Sequence, residues 1–404
     1  MKGDFSRDTF RAANRYTSVR LQQGRVLVDS DWNEQAAIRE HFERARFEAI
    51  VGGSGVPEDG GLALRARQDG TLELSAGRAY AGGLACELDA SRSLEELLAK
   101  PLPPAPGRTD LVYLDAWERH LTAVDDPALG EAALGGTETS TRLRVAWKPV
   151  VLEDVGDPTC EEVDRLVSRR GAGAVRAAAP GGYLGLENHL YRVEIHDGGD
   201  LAAASFKWSR DNGSVVIGIA ELLGPATVRL APAPDPRHRL EVGDWVEISG
   251  EASERTGRTG TLAQVESLRD EGREATFDRS VEAHRDEPRP RARRWDGAEA
   301  TTSSEWVALE AGIELRFSAG EYRAGDYWTF PARVGLGAVE WPEEPPQGPE
   351  HRSCPLALVT WERSAPIVRD CRRVFSPLTE LRAEVTRLAA EVAELRRQLD
   401  AVVR

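Results

Sequence analysis

The sequence predicts a mainly β, multidomain protein: an N-terminal arm and helix, antiparallel β-domains that include a small SH3-like barrel, and a C-terminal α-helical coiled coil. Three observations carry this expectation. Most of the chain between residues 56 and 375 alternates apolar and polar residues with period two, punctuated by Gly, Pro and Asp-Gly turns. The last 29 residues instead keep a strict 3-4 apolar spacing. At 404 residues the chain is too long for one ordinary core.

Residues 1–55 read as an arm and one helix. Val26 and Val28 belong to a short extended run. Asp31-Trp32-Asn33-Glu34 then supplies an N-cap carboxylate with an acid three residues later, the spacing of a capping box. Ile38, Phe42, Ala45 and Ala49 recur on one helical face, and Gly52-Gly53 ends it.

A β-domain is expected over 56–152. Asp69-Gly70 is tight-turn chemistry between Leu62/Leu64 and Leu72/Leu74, which predicts a hairpin. The Pro-rich stretch 101–106 reads as a linker, 111–117 as a strand, and Leu143, Val145 and Trp147 alternate in another. Over 153–235 a short helix near 161–167 precedes a Gly/Ala-rich loop and strands at 191–195 and 214–217. The compact run 236–283 resembles the strands of an SH3-like barrel, and 281–304 reads as a charged loop. Over 284–375, Ile313, Leu315 and Phe317 alternate, a hairpin closes at Gly325-Asp326, and 356–361 adds a strand.

The coiled coil occupies 376–404. Ser376 is a suitable N-cap and Pro377 suits the first helical position. Leu378, Leu381, Val385, Leu388, Val392, Leu395, Leu399 and Val402 fill the a and d positions of a heptad, with Arg382, Glu384, Glu391 and Arg396 on the flanks. A helix lying on its own domain shows a broader stripe. The narrow seam therefore predicts self-association, and Glu391 and Arg396 are placed to pair between parallel chains. Val at the central a positions with Leu at d leans towards a dimer.

Composition narrows the function. A formal charge of −15 opposes a sequence-independent grip on nucleic acid. No apolar run reaches the roughly 18 residues of a membrane span, and the opening residues have no signal-peptide core, so synthesis in the cytoplasm without such export is expected. Only Lys2, Lys100, Lys148 and Lys207 are lysines, a scarcity read as codon bias. Cys86, Cys160, Cys354 and Cys371 lack C-x-x-C spacing, and Cys354 and Cys371 are expected as a buried pair of free thiols.

No catalytic constellation emerges. The seven histidines show no metal spacing, and there is no P-loop, G-x-S-x-G or G-x-G-x-x-G motif. His196-Asp197-Gly198-Gly199-Asp200 reads as a turn. The tryptophans Trp117, Trp147, Trp245 and Trp306 fall in strand patterns and are assigned to cores. No catalytic residue, metal or cofactor is predicted. A carbohydrate-binding surface protein and, less so, a polysaccharide-degrading enzyme are the alternatives to a structural role.

Four blocks carry a resemblance. They are Met1-Lys2-Gly3-Asp4-Phe5-Ser6-Arg7-Asp8-Thr9-Phe10 with Gln22-Gln23-Gly24-Arg25-Val26 and Asp31-Trp32-Asn33-Glu34-Gln35; Leu190-Tyr191-Arg192-Val193-Glu194-Ile195-His196-Asp197; Phe206-Lys207-Trp208-Ser209-Arg210-Asp211-Asn212-Gly213; and Gly325-Asp326-Tyr327-Trp328 with Pro331-Ala332-Arg333. Together they resemble a bacterial family of unknown function whose members look like parts of phage tails and contractile injection systems. The resemblance covers most of 1–375 and implies a tail-fibre-like or baseplate-attached structural protein. It further implies a homotrimer by fibre analogy, with baseplate or tail proteins and a cell-surface glycan as partners. Many relatives continue into a parallel β-helix; this sequence does not, which favours attachment or architecture over receptor binding or polysaccharide cleavage. Phe5, Arg7, Phe10, Asp31, Trp32, Asn33 and Glu34 are the expected docking residues. Trp208, Arg210, Asp211, Asn212, Tyr327 and Trp328 are expected to be structural, with Asp211-Asn212-Gly213 as turn chemistry.

Overall fold

The computed structural model describes residues 1–58, 60–167, 173–232, 239–335 and 340–403. The chain is mainly β, with many antiparallel sheets and few helices. It divides into two compact units, one built from residues 1–43, 116–148 and 168–351, the other from 44–115, 149–167 and 352–404. The six contiguous domains expected from the sequence are not this partition. Turn-forming residues mark where the chain bends, not where a core ends: the supposed linker 101–106 lies inside the second unit, with Leu102 buried. Residues 168–172, in the Gly/Ala-rich loop, and 236–238, at the expected start of the barrel, lie outside the described residues.

The second unit holds the expected hairpin. Leu64–Ala66 pairs with Leu72–Leu74 through a turn whose Gly70 adopts φ +81°, while Asp69 accepts hydrogen bonds from the Thr71 N–H and hydroxyl. Ser54–Pro57 lies between Gly77–Ala81 and Val374–Phe375. Strand Arg352–Thr360 lies between Thr109–Leu121 and Ile367–Asp370. Leu111, Val163, Leu358 and Cys371 form a buried cluster. Cys371 is bonded to Cys160, their Cα atoms 5.1 Å apart, whereas Cys86 and Cys354 are free and buried. The expected Cys354/Cys371 thiol pair is thus corrected. Cys371 follows the strand Ile367–Asp370 and meets the segment before helix Val163–Val167, a neighbour that sequence spacing does not reveal.

In the first unit the principal strands are β1 (His189–Ile195), β2 (Ser205–Ser209), β3 (Val216–Leu222), β4 (Thr227–Leu230), β5 (Trp245–Ser249), β6 (Thr261–Arg269), β7 (Glu274–Phe277), β8 (Arg291–Trp295), β9 (Gly297–Thr301) and β10 (Tyr327–Ala332). One sheet has the order β9-β2-β1-β10. It shares a core with a second sheet made of Val307–Ala308, Glu314–Phe317, Val175–Ala178 and Glu340–Glu344. Tyr191, Val193 and Ile195 supply one face of β1 to that core, where Tyr191 stacks on Phe330 at 5.5 Å and Phe206 meets Phe317 at 4.9 Å.

Strands β3 to β8 close a barrel in the order β3-β4-β7-β6-β5-β8. The compact unit expected at 236–283 is therefore too short at both ends: it omits β3 and β4 and stops before β8. The charged loop expected at 281–304 is β8 and β9 over much of its length. Arg291 and Arg293 are buried there, because Asp125 and a backbone carbonyl take up their guanidinium groups. A run of arginines looked solvated only because its partners are remote in sequence.

Among the described residues two helices are longer than two turns. Helix α1, Asp29–Val51, begins two residues before the expected N-cap Asp31. Asp29 accepts the Ser6 N–H at 2.8 Å, and Glu34 accepts the Thr9 hydroxyl at 2.6 Å instead of completing a capping box. It ends at Gly52, φ +101°, as expected. Helix α2, Leu378–Val403, is the C-terminal helix. No helix among the described residues is long and apolar enough to cross a membrane.

Candidate functional site

The β1 pattern Tyr191-Arg192-Val193-Glu194-Ile195 alternates apolar and charged residues, which ordinarily gives one wet face. Here both faces are buried. On the charged face, Glu194 lies opposite Lys207 of β2, and Lys207 Nζ sits 3.3 Å from Glu194 Oε1 and 2.6 Å from Glu247 Oε2 of β5. Arg192 holds Glu194 at 2.7 Å, and Lys2 reaches the same carboxylate at 2.9 Å. Trp295 Nε1 donates to Glu247 at 3.2 Å, and Lys207 sits 4.8 Å from the centre of the Trp295 ring. Lys207 is fully buried.

Each charge in this cluster is defined by the others. Burial alone raises the Glu194 carboxyl, but Lys2, Arg192 and Lys207 hold it well below the usual carboxylate range. Burial likewise opposes ionisation of Glu247, and Lys207 and Lys2 outweigh it, holding the carboxyl at about 2. Burial pushes the Lys2 ammonium down, against the pull of Glu194 and Glu247. His196, 3.3 Å from Lys207, is lowered by burial and then by that ammonium. The arrangement holds ions rigidly in a dry setting; no substrate-sized opening is needed to explain it.

The opening residues complete the cluster from outside. Asn212 Nδ2 donates to the carbonyls of Met1 and Gly3 at 3.1 and 3.0 Å, and Arg192 donates to Met1 at 3.2 Å while stacking 3.7 Å from the centre of the Tyr327 ring. Arg333 donates to the Ser6 carbonyl. Asn212 (φ 52°) and Gly213 (φ 60°) form a left-handed turn that only such residues adopt readily. The four sequence blocks, far apart in the chain, thus meet in one place.

Beside them a polar cleft of about 340 Å³ is lined by Asp4, Phe5, Ser6, Asp29, Asn188, His189, Leu190, Asp211 and Arg333. His189 Nδ1 lies 2.9 Å from Asp211 Oδ1. Among the described residues no group of three or more His, Cys, Asp or Glu side chains is placed to hold a metal.

Two further polar networks involve barrel residues. Arg119 and Arg291 share Asp125 and Glu254, with Arg291 2.6 Å from Asp125 and Arg119 2.9 Å from Glu254. Thr261 Oγ1 lies 2.9 Å from His284 Nε2, whose Nδ1 lies 3.2 Å from Glu287. That order of groups is shared with hydrolytic triads. Thr261, however, is locked in the sheet opposite Ile248, and Glu287 also accepts the Ser253 hydroxyl at 2.5 Å. The network ties the short helix Glu251–Arg255 to the barrel.

Of the expected docking residues, most build the arm onto the fold. Phe5 packs edge-on against His120, Arg7 donates to Ser30, and Phe10 lies 5.7 Å from His41. Asp31, Asn33 and Glu34 are half-buried, whereas Trp32 is 73% exposed. Trp208 and Trp328 lie in the sandwich core, Tyr327 borders the charge cluster, and Arg210 bonds Asp296 and Glu310 at 3.2 and 2.6 Å. Trp306, assigned to a core, is instead 39% exposed beside Arg316, since its strand begins one residue later. The heptad residues Leu381, Val385, Leu388, Val392, Leu395 and Leu399 are exposed along α2; the side chains of Leu378 and Val402 lie outside the described residues.

Sequence reasoning missed Lys2, Arg192, Glu194, Lys207 and Glu247 as one cluster. No signal near them in sequence joins them: three of the four lysines have specific partners, Lys148 also bonding the Thr256 carbonyl at 2.5 Å and lying against Trp117, but those partners are remote in the chain. Against known proteins, a family model described as a family of unknown function (DUF6519) matches residues 1–179 and 168–359. No curated protein and no solved structure matches the chain.

Proposed function

We infer, for a chain that belongs to the family of unknown function DUF6519, a structural role: a self-associating component of a phage-tail-like particle or contractile injection system, tail-fibre-like or baseplate-attached. The observation that carries this reading is the seam on α2. Six large apolar side chains at heptad spacing, 45–64% exposed, line a helix with no core of its own to cover them. A second copy of the helix is the occupant that such spacing fits. The resemblance of the opening and strand blocks to tail-associated proteins supports the particle, and fibre analogy supports a homotrimer over the dimer favoured by Val385 and Val392.

The cluster at Lys207 supports architecture over chemistry, because its ions are engaged with one another and its centre is dry. A sugar platform gains little support: Trp32 and Trp306 are the exposed tryptophans among the described residues, and they are not in one strand or helix. In this reading the protein is assembled in the cytoplasm into the particle, without catalysis or cofactor. Light scattering tests the self-association, and immunoblotting of sedimented tail-like particles tests the particle. A monomer at micromolar concentration, or a chain that stays in the supernatant, removes the corresponding half of the reading.

A further inference from the structure

The arm is held most densely over residues 1–10; beyond them the Val19 N–H donates to Gln35 Oε1 at 2.9 Å. Residues 1–10 are tied to the first unit by the hydrogen bonds of Met1, Gly3, Ser6 and Thr9. Residues 11–28 contain Arg11, Arg15, Arg20 and Arg25 and no acid. The chain carries −15 overall, so the rest of it carries −19 once these four are set aside. Arg11 is engaged with the Phe10 carbonyl and the Trp341 ring. Arg15, Arg20 and Arg25 are exposed, and among the described residues their side chains meet no carboxylate, carbonyl or ring. Elsewhere the arginines are taken up: Arg119, Arg192, Arg210, Arg291 and Arg372 each hold a carboxylate within 3 Å.

The same stretch exposes large apolar side chains. Tyr16, Leu21, Val26, Leu27, Val28 and, at the start of α1, Trp32 are 37–84% exposed. The N–H groups of Val26, Leu27 and Val28 donate to nothing among the described residues, just after a turn at Gly24 (φ +72°) that stands in open space. Exposed tyrosine, tryptophan and unpaired arginine on an extended segment with free N–H groups make a surface suited to protein contact. A body at −19 repels phosphate backbones, and the segment is not the amphipathic helix that lies on lipid.

We propose that residues 15–28, with Trp32 exposed beside them, form a clasp that binds the acidic surface of a second copy of this chain. Charge complementarity selects that occupant: the chain itself supplies a strongly acidic body. Two arms exchanged reciprocally close the assembly at a pair, where a one-way contact would grow a filament. This interface is separate from the α2 seam and does not depend on it.

The test is sedimentation of three full-length proteins at low and high salt: the wild type, a seam variant L388D/L395D, and the seam variant carrying R15E/R20E/R25E. Thermal melts check that the folds match. The seam variant is expected to pair in low salt and separate in high salt. Arm reversal is expected to weaken that pairing by roughly tenfold to a hundredfold, because each of the two arms loses and reverses its three exposed arginine contacts. A seam variant that is monomeric in low salt, or arm reversal without effect on its pairing, overturns the proposal. The readings separate cleanly. An oligomeric wild type with a monomeric seam variant leaves the helix reading standing and removes the clasp. A seam variant with undiminished mass that dissociates on arm reversal does the opposite.

Discussion

Replacing Lys207 with methionine keeps much of the side-chain volume and removes one charge from the centre of the first unit. Lys207 is fully buried and is the cation nearest to Glu247, at 2.6 Å. After the change Glu247 keeps the Gly260 N–H at 2.9 Å and the Trp295 Nε1–H at 3.2 Å, and Glu194 keeps Lys2 and Arg192. Breaking a buried ion pair on one side costs about 3–5 kcal/mol, and these surviving bonds place the loss near the lower end. The carboxyl gives a second estimate. Glu247 titrates at about 2 against an ordinary 4.5, a depression equivalent to roughly 3 kcal/mol, in which Lys207 is the foremost stabilising charge. Because the folded value is depressed, this stability is present above pH 4.5 and drains away as pH falls towards 2. In Lys207→Met the folded value moves back towards 4.5 and most of that slope disappears. Urea unfolding followed by tryptophan fluorescence at pH 7 and near pH 3 measures both effects. The expected result is a loss of about 3 kcal/mol at pH 7 that shrinks markedly in acid. A loss below about 1 kcal/mol, or one that is the same at both pH values, refutes the reasoning.

Asn212→Ala removes two donated bonds and puts alanine at φ 52°, for an expected loss of about 2–3 kcal/mol; Asn212→Asp keeps the turn and loses only the donors, and hydrogen exchange over residues 1–5 should rise in both. Cys160→Ala opens a crosslink with a sequence separation of 211 residues and should cost the second unit about 2–5 kcal/mol, read as an earlier denaturant midpoint; four free thiols in the unreduced wild type would contradict it. Leu388→Asp puts a carboxylate in the α2 seam and should lower the solution mass to that of a smaller oligomer, with an unchanged mass counting against the seam.

Local signals were readable in the sequence and distant partnerships were not. The Asp69-Gly70 hairpin, the strand read at 111–117 (observed over Thr109–Leu121) and the end of α1 at Gly52 follow from residues adjacent in the chain. The barrel was half visible: β5, β6 and β7 alternate cleanly, whereas β8 reads Arg291-Ala292-Arg293-Arg294, and its burial depends on Asp125 and Gly213. The same holds for the charge cluster. Glu194 looked like the wet side of a strand because nothing near it in sequence announces Lys2, Lys207 and Glu247. The packing of the arm was hidden for the same reason: Phe5 and Phe10, named as docking residues, meet His120 and His41, which are remote in sequence.

The interleaved partition of the chain also sets a schedule for its synthesis. A ribosome delivers residues in order, yet the second unit draws on 44–115, then 149–167, then 352 onward. Strand Arg352–Thr360, which lies between Thr109–Leu121 and Ile367–Asp370, and Cys371, the partner of Cys160, emerge only after the whole of 168–351. The early segments of that unit must therefore wait until 168–351 has been made, a stretch that can itself begin to condense. A chain stalled near residue 350 would carry a largely complete barrel and sandwich beside an unsealed remainder, the kind of intermediate that chaperones retain and proteases trim.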